Sequence, residues 1–152
     1  MNKHSTAVAT NRKARHEYDI LETIEAGMSL QGSEIKSVRS GQINLKEGYV
    51  LIERNQAWLI NVHISPYDPA SRMNHDPLRK KRLLLHKKEI RKLQESQQLK
   101  GLSVVPLRVY LKGGFAKIEL GVGRGLKKYD KRQKIAKKDA EREMLHMLNK
   151  RD

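Results

Sequence analysis

Cysteine is absent from the 152 residues, so disulfides and thiolate metal sites are excluded and cytoplasmic residence is expected. No apolar run approaches the roughly 18 residues that a membrane-spanning helix needs. Aromatic residues make up only 5% of the chain, too few to line a groove that stacks successive bases of a single strand. The basic stretches carry no interleaved Trp or Phe to anchor at a lipid surface, so no membrane partner is expected. Histidines at 4, 16, 63, 75, 86 and 146 are scattered without the spacing of metal ligands. The glycines of GVGRG (121–125) lack the following Lys-Ser/Thr of a phosphate-cradling loop. No nucleophile–base pair, carboxylate pair or metal cluster emerges, so neither enzymatic activity nor a cofactor is expected. A nuclease assembled from distant acids such as Glu25, Glu34 and Asp76 is the enzymatic alternative. MNKHSTAVATNRKARH, at the start, has no acid and no apolar core of a secretory signal, and reads as a flexible basic lead-in over 1–16.

Positive charge is what the chain has in excess. Lys and Arg number 32 against 17 Asp and Glu, a formal net charge of +15, which draws phosphate-rich partners. The density gathers at Arg12 to Arg15, at Arg79 to Arg82 with His86 to Arg91, and along the last residues. Phosphate contacts give affinity with little sequence information. With few aromatics to stack bases, recognition of a folded RNA by shape fits better than single-strand binding.

Periodicity predicts the elements. Tyr18, Ile20, Ile24 and Ala26 alternate as a half-buried strand, interrupted at Glu22 and ended by Gly27. A short helix is predicted from about Leu30 to Arg39, stopped at Gly41. EGYVLIERNQAWLINVHI (47–64) reads as two strands about a turn at Asn55 and Gln56, with Trp58, Ile60, Val62 and Ile64 alternating against Leu59, Asn61 and His63. The proline-bracketed stretch 65–77 is a loop, and a helix follows from about His86 to Lys100. Val105, Leu107, Val109 and Leu111, then Ala116, Ile118, Leu120 and Val122, form a hairpin around Gly113 and Gly114. A mainly β fold with flanking helices is expected, 17–123 forming a small closed antiparallel β-barrel, with an open α+β sandwich as the alternative.

Residues 124–152 are too basic and too poor in bulky apolar groups for a core, and read as a tail that is disordered until it meets a polyanion. Gly123 and Gly125 are expected to loosen the chain before Lys127, Lys128, Lys131, Arg132, Lys134, Lys137 and Lys138. A helix over Gln133–Leu148 would align Ala136, Ala140, Met144, Met147 and Leu148 and extend about 24 Å. The alternative is a solvated tail that only aids solubility.

The segments NRKARHEY (11–18), EAGMSLQGSEIKSVRSG (25–41), HISPY (63–67), HDPLRKKRLLLHKKEI (75–90) and GVGRGLKKYDKR (121–132), in this order, resemble the small protein B family, the tmRNA-binding proteins of bacteria. The resemblance implies a β-barrel of the oligonucleotide-binding (OB) type and an RNA-binding adaptor rather than an enzyme. It implies binding to the tRNA-like domain of tmRNA and delivery to 70S ribosomes stalled on non-stop mRNA, the rescue called trans-translation, with elongation factor Tu in the delivery complex. By the same resemblance Glu25, Leu85 and Lys117 contact the tRNA-like elbow, and Asn11, Arg12, Arg15 and His16 support the RNA; the local density of basic residues, apart from the resemblance, adds Arg79 and Arg82 as expected phosphate contacts. The tail, with Gly125, Lys127, Lys128, Tyr129, Asp130, Lys131, Arg132, Lys134 and Lys138, is implied to become helical against small-subunit rRNA, in the empty mRNA channel near the decoding centre. A structural ribosomal protein of the same size and charge is the remaining alternative.

Overall fold

The alternation after residue 102 builds the longest hairpin of the fold. Strand β8 (Ser103–Lys112) runs antiparallel to β9 (Phe115–Gly125), joined by Gly113 and Gly114 at φ 57° and 83°, the left-handed pair that a two-residue hairpin turn requires. The computed structural model describes residues 7–67, 74–126 and 128–150, the side chains at 128–131, 134 and 150 excepted. Strand β1 (Ala7–Thr10) pairs with β8 and is followed by helix α1 (Arg12–Glu17). Thus residues 7–17 of the expected lead-in are part of the folded domain. Strand β2 (Tyr18–Met28) continues past Gly27 and pairs along almost the whole of β9. The interruption at Glu22 is real: the register slips between Ile20 and Glu22, and Leu21 turns out to solvent.

Helix α2 (Gly32–Arg39) starts with a capping box between Gln31 and Glu34 and stops at Gly41, whose φ is 74°. Strands β3 (Ile43–Asn44) and β6 (His63–Ile64) form a separate two-stranded ribbon. Strands β4 (Tyr49–Glu53) and β5 (Gln56–Ile60) turn at Arg54 and Asn55, one residue earlier than expected, both with positive φ. The alternation through β5 also changes phase. Ala57 and Leu59 face the core, Asn61 adopts φ 61°, and Val62 and Ile64 are then the buried residues. Strand β7 (Lys81–Leu84), helix α3 (Lys87–Gln98) and the C-terminal helix α4 (Lys128–Lys150) complete the described elements.

The main sheet has the order β1-β8-β9-β2-β7-β5-β4 and curls around a core that includes Val38, Leu59, Leu93, Val109, Ile118 and Leu120. It does not close into the expected barrel. Strand β4 comes alongside β8, but no ladder joins them. The outward edge of β8 is already engaged: β1 pairs with Arg108–Tyr110, Asn11 N–H donates to Leu107 O at 2.8 Å, and Asn11 Nδ2 donates to Pro106 O at 2.9 Å. Pro106 has no N–H to offer. On the opposite edge, Gln97 Nε2 from α3 donates to Val50 O at 2.8 Å. Side chains thus occupy groups that a ladder would use.

β9 continues through Gly125, and Leu126 N–H donates to Glu17 O at 2.8 Å, so the domain ends a few residues later than 123. Gly123 is a packing glycine, contrary to the expected loosening: a Cβ there would meet Asp19 O at 2.4 Å. Helix α4 is longer than the expected Gln133–Leu148, and its described side chains are exposed on every side. The stripe Met144, Met147 and Leu148 is bare.

Lys81 is fully buried, with Nζ donating to Val62 O at 2.6 Å. Burial pushes its ammonium down to about 8, against the pull of Glu34. From about pH 8 to 10.5 the unfolded chain holds a proton that the folded one has released, so the Lys81 contribution to stability rises with pH across that window. Urea unfolding of wild type and Lys81→Met at stepped pH is expected to show this rise as a difference between the two proteins. Parallel pH profiles would refute it.

Candidate nucleic-acid interface

The registers of β8, β9, β2 and β7 fix which side chains share the outer face of the sheet. One row runs Tyr110, Lys117, Gly27, Leu84; the next runs Arg108, Glu119, Glu25. At Pro106 a register slip re-phases β8, so that Val105 and Leu107 also face outward, where Ala14 of α1 covers them together with Tyr18 and Ile20. One end of the outer face is thereby roofed by α1. The other end opens into a hollow of about 610 Å³ whose lining includes Glu25, Gly27, Arg82, Leu84, Leu85 and Lys117. Residues expected from distant parts of the sequence, Glu25, Leu85, Lys117 and Arg82, therefore meet on one surface. The N-terminus of α3, with His86 and Lys87, closes its side.

The hollow sets two acids, Glu25 and Glu89, among several cations. Glu25 accepts a short hydrogen bond from Tyr110 Oη, and Lys112 Nζ stands 3.7 Å from its other oxygen. The Tyr110 hydrogen bond holds the Glu25 carboxyl below its ordinary range, helped by Lys112 and Lys117 and opposed by partial burial. Burial first, and then Glu25, push the Tyr110 phenol up, so it stays a donor. Arg82 is exposed beside Trp58 in the adjoining register, and Lys80 Nζ lies 4.4 Å from the centre of the Trp58 ring.

The N-terminal residues divide. Arg12, Arg15 and His16 are exposed on α1, and Arg15 Nη2 reaches Glu119 Oε1 at 3.3 Å. Asn11 is buried: its Nδ2 serves Leu45 O at 3.1 Å and Pro106 O, and its Oδ1 caps α1 by accepting from Ala14 N–H. Its amide is engaged wholly within the protein. Arg79, expected at phosphate, instead has its guanidinium on Glu34, which is fully buried, with Nη2 to Oε1 at 2.5 Å and Nε to Oε2 at 3.2 Å.

In the tail, Gly125 ends β9, and Arg132 and Lys138 are exposed on α4. Lys128, Tyr129, Asp130, Lys131 and Lys134 belong to the same helix, but their side chains lie outside the described residues, as does all of Lys127. Sequence reasoning missed Leu84 and Tyr110 as members of the face. Leu84 had a findable signal, the alternation of Lys81 and Leu83 with Arg82 and Leu84, masked because the inward residue Lys81 is charged.

A sequence model of the family described as SmpB protein matches residues 8–150. The chain is 56% identical over 142 residues to the SsrA-binding protein of Ligilactobacillus salivarius, covering 93% of this chain and 92% of that one. It is 54% identical over 149 residues to the SsrA-binding protein of Latilactobacillus sakei, covering 98% and 96%. A solved chain described as "tmRNA-SmpB: a journey to the center of the bacterial ribosome" superimposes with a TM-score of 0.67 at 42% identity, over 84% of this chain and 93% of that one. Matched over nearly its whole length in both sequence and fold, the chain belongs to the SmpB family.

Proposed function

We propose that the protein is an RNA-binding adaptor that holds the tRNA-like domain of tmRNA against the outer face of its sheet and carries it to ribosomes stalled on non-stop mRNA. The observation that carries this reading is the hollow in which Glu25, Leu85, Lys117 and Arg82 meet, in a chain of net charge +15 that belongs to the SmpB family. A carboxylate accepts from base amino groups or ribose hydroxyls, an apolar side chain packs against a base or sugar, and ammonium and guanidinium groups pair with phosphate. Arg12, Arg15 and His16 extend the basic surface beside α1. Helix α4 would span about 34 Å, enough to probe whether the messenger channel of the small subunit is empty, with Asp130, Lys131 and Arg132 toward the decoding centre. Cytoplasmic residence and a delivery complex with elongation factor Tu belong to the same proposal. Among the described residues no helix is long and apolar enough to cross a membrane.

Equilibrium titration against the tRNA-like domain and against an ordinary folded tRNA, at two salt concentrations, tests the reading. A preference of tenfold or more, about 1.4 kcal/mol, is expected to survive the higher salt. Lys117→Ala is expected to weaken binding about tenfold and to flatten the salt dependence by about one ion. Equal affinities that collapse together with salt would mean nonspecific phosphate binding, and would overturn the reading.

A further inference from the structure

Glu25 poses a chemical question on this surface. A carboxylate facing a polyanion is repelled unless it is aimed at donors, and a glutamate on an exposed strand has rotamer freedom to lose on binding. The contacts across β9 answer it. Tyr110 is only 1% exposed, and its phenol reaches over β9 to place Oη on Glu25 Oε2. The Arg108 guanidinium lies over the Tyr110 ring, 4.7 Å from its centre, and packs against its face. Arg108 Nε in turn donates to Glu119 Oε2 at 3.1 Å, and the other oxygen of Glu119 receives Arg15 Nη2. A continuous chain therefore runs from α1 through Arg15, Glu119, Arg108 and Tyr110 to Glu25.

We propose that Tyr110 is a positioning residue of the RNA site: its hydroxyl, braced by the Arg15–Glu119–Arg108 chain, holds the Glu25 carboxylate in one orientation as an acceptor for RNA amino or ribose hydroxyl groups. The proposal rests on the RNA-binding reading above. Tyr110 itself is too buried to touch RNA, so it acts through Glu25. Its donation occupies Oε2 and leaves Oε1 beside Lys112. The charged groups facing Glu25 are Lys112 of β8 and Lys117 and Glu119 of β9. Across the hollow stand Arg82 of β7 and His86, Lys87 and Glu89 at the start of α3. Arg15 gains a role by the same geometry: it links the α1 surface to the RNA face through protein contacts.

The experiment uses full-length protein and four forms: wild type, Tyr110→Phe, Glu25→Gln and the double variant. In the free protein, carboxyl-carbon NMR of Glu25 is followed against pH, and loss of the Tyr110 hydroxyl is expected to move its titration to higher pH. In equilibrium binding to the tRNA-like domain, Tyr110→Phe and Glu25→Gln are each expected to weaken affinity about tenfold, and the double variant no more than the weaker single one. Tyr110→Phe should leave the salt slope unchanged, because no phosphate contact is removed. Arg108→Met, which removes the brace and keeps the phenol, is expected to shift the Glu25 titration in the same direction and keeps the test open if Tyr110→Phe does not fold. An unmoved titration, or wild-type affinity in Tyr110→Phe when Glu25→Gln is weakened, overturns the positioning role alone. Wild-type affinity in Glu25→Gln overturns the assignment of this face to RNA.

Discussion

Removal of residues 127–152 is expected to abolish peptide tagging on stalled ribosomes while leaving the affinity for the tRNA-like domain within about twofold at moderate salt. The cut falls after Leu126 because β9 runs through Gly125 and the Leu126 N–H closes onto Glu17 O, so the sheet stays intact. The removed piece holds ten Lys and Arg against five acids, which leaves ten of the fifteen net positive charges on residues 1–126. Some general attraction to RNA is lost with it, and that loss should shrink as salt rises. The expectation of intact binding follows from location: Glu25, Leu85, Lys117 and Arg82 all precede the cut and line one hollow. Helix α4 has its described side chains exposed to solvent and adds nothing to the core beneath the hollow, so its loss is not expected to disturb the sheet face. Tagging measured in a reconstituted stalled-translation system, alongside the binding titration, checks both halves. Lost RNA affinity in the truncated protein would mean that the tail and the sheet face bind as one unit.

Arg79→Met is expected to lower stability by about 3 kcal/mol or more, the cost typical of leaving one member of a buried ion pair without its partner. Glu34 is fully enclosed and has Arg79 on both oxygens, while its Oε1 also accepts Gln31 N–H at 2.8 Å to cap α2. Arg79 Nη2 further ties down Ser29 O at 3.3 Å, between β2 and α2. Removing the guanidinium therefore leaves a buried charge and loosens the start of a helix. A urea midpoint that falls at unchanged m is the expected readout, with RNA affinity per folded molecule preserved. Replacing both partners, Glu34→Gln with Arg79→Met, should recover part of the loss because the stranded charge is gone. A loss below about 1 kcal/mol would put the pair in the class of surface bridges and return Arg79 to the candidate RNA contacts.

Much of the molecule was legible before folding because local periodicity and turn chemistry agree with the final structure. The β8–β9 hairpin, the strand from Tyr18, α2 and α3 were all predicted within a few residues, since one face of each meets the core and Gly41, Gly101 and Gly113 supply positive φ where chains turn or stop. Elements whose signal is not local escaped. β1 is too short and half-buried to show alternation, and exists because β8 offers it an edge. β7 hid behind Lys81, a lysine at a core position that is tolerated only because Val62 O is there to receive it.

By itself the sequence determined the class of partner and the likeness to a family, and through that likeness it nominated Glu25, Leu85 and Lys117 as candidate RNA contacts. Net charge, composition and ordered motifs are properties of the chain that folding does not alter. Only the tertiary structure decided that the sheet stays open at β4 and β8, that Asn11 is buried and Arg79 is paired with the buried Glu34, and that Tyr110 reaches Glu25 across β9. Those outcomes depend on which hydrogen-bonding groups are already occupied when distant segments meet, from Asn11 against Pro106 to Tyr110 against Glu25, and pairings of that kind leave no periodic trace along the chain.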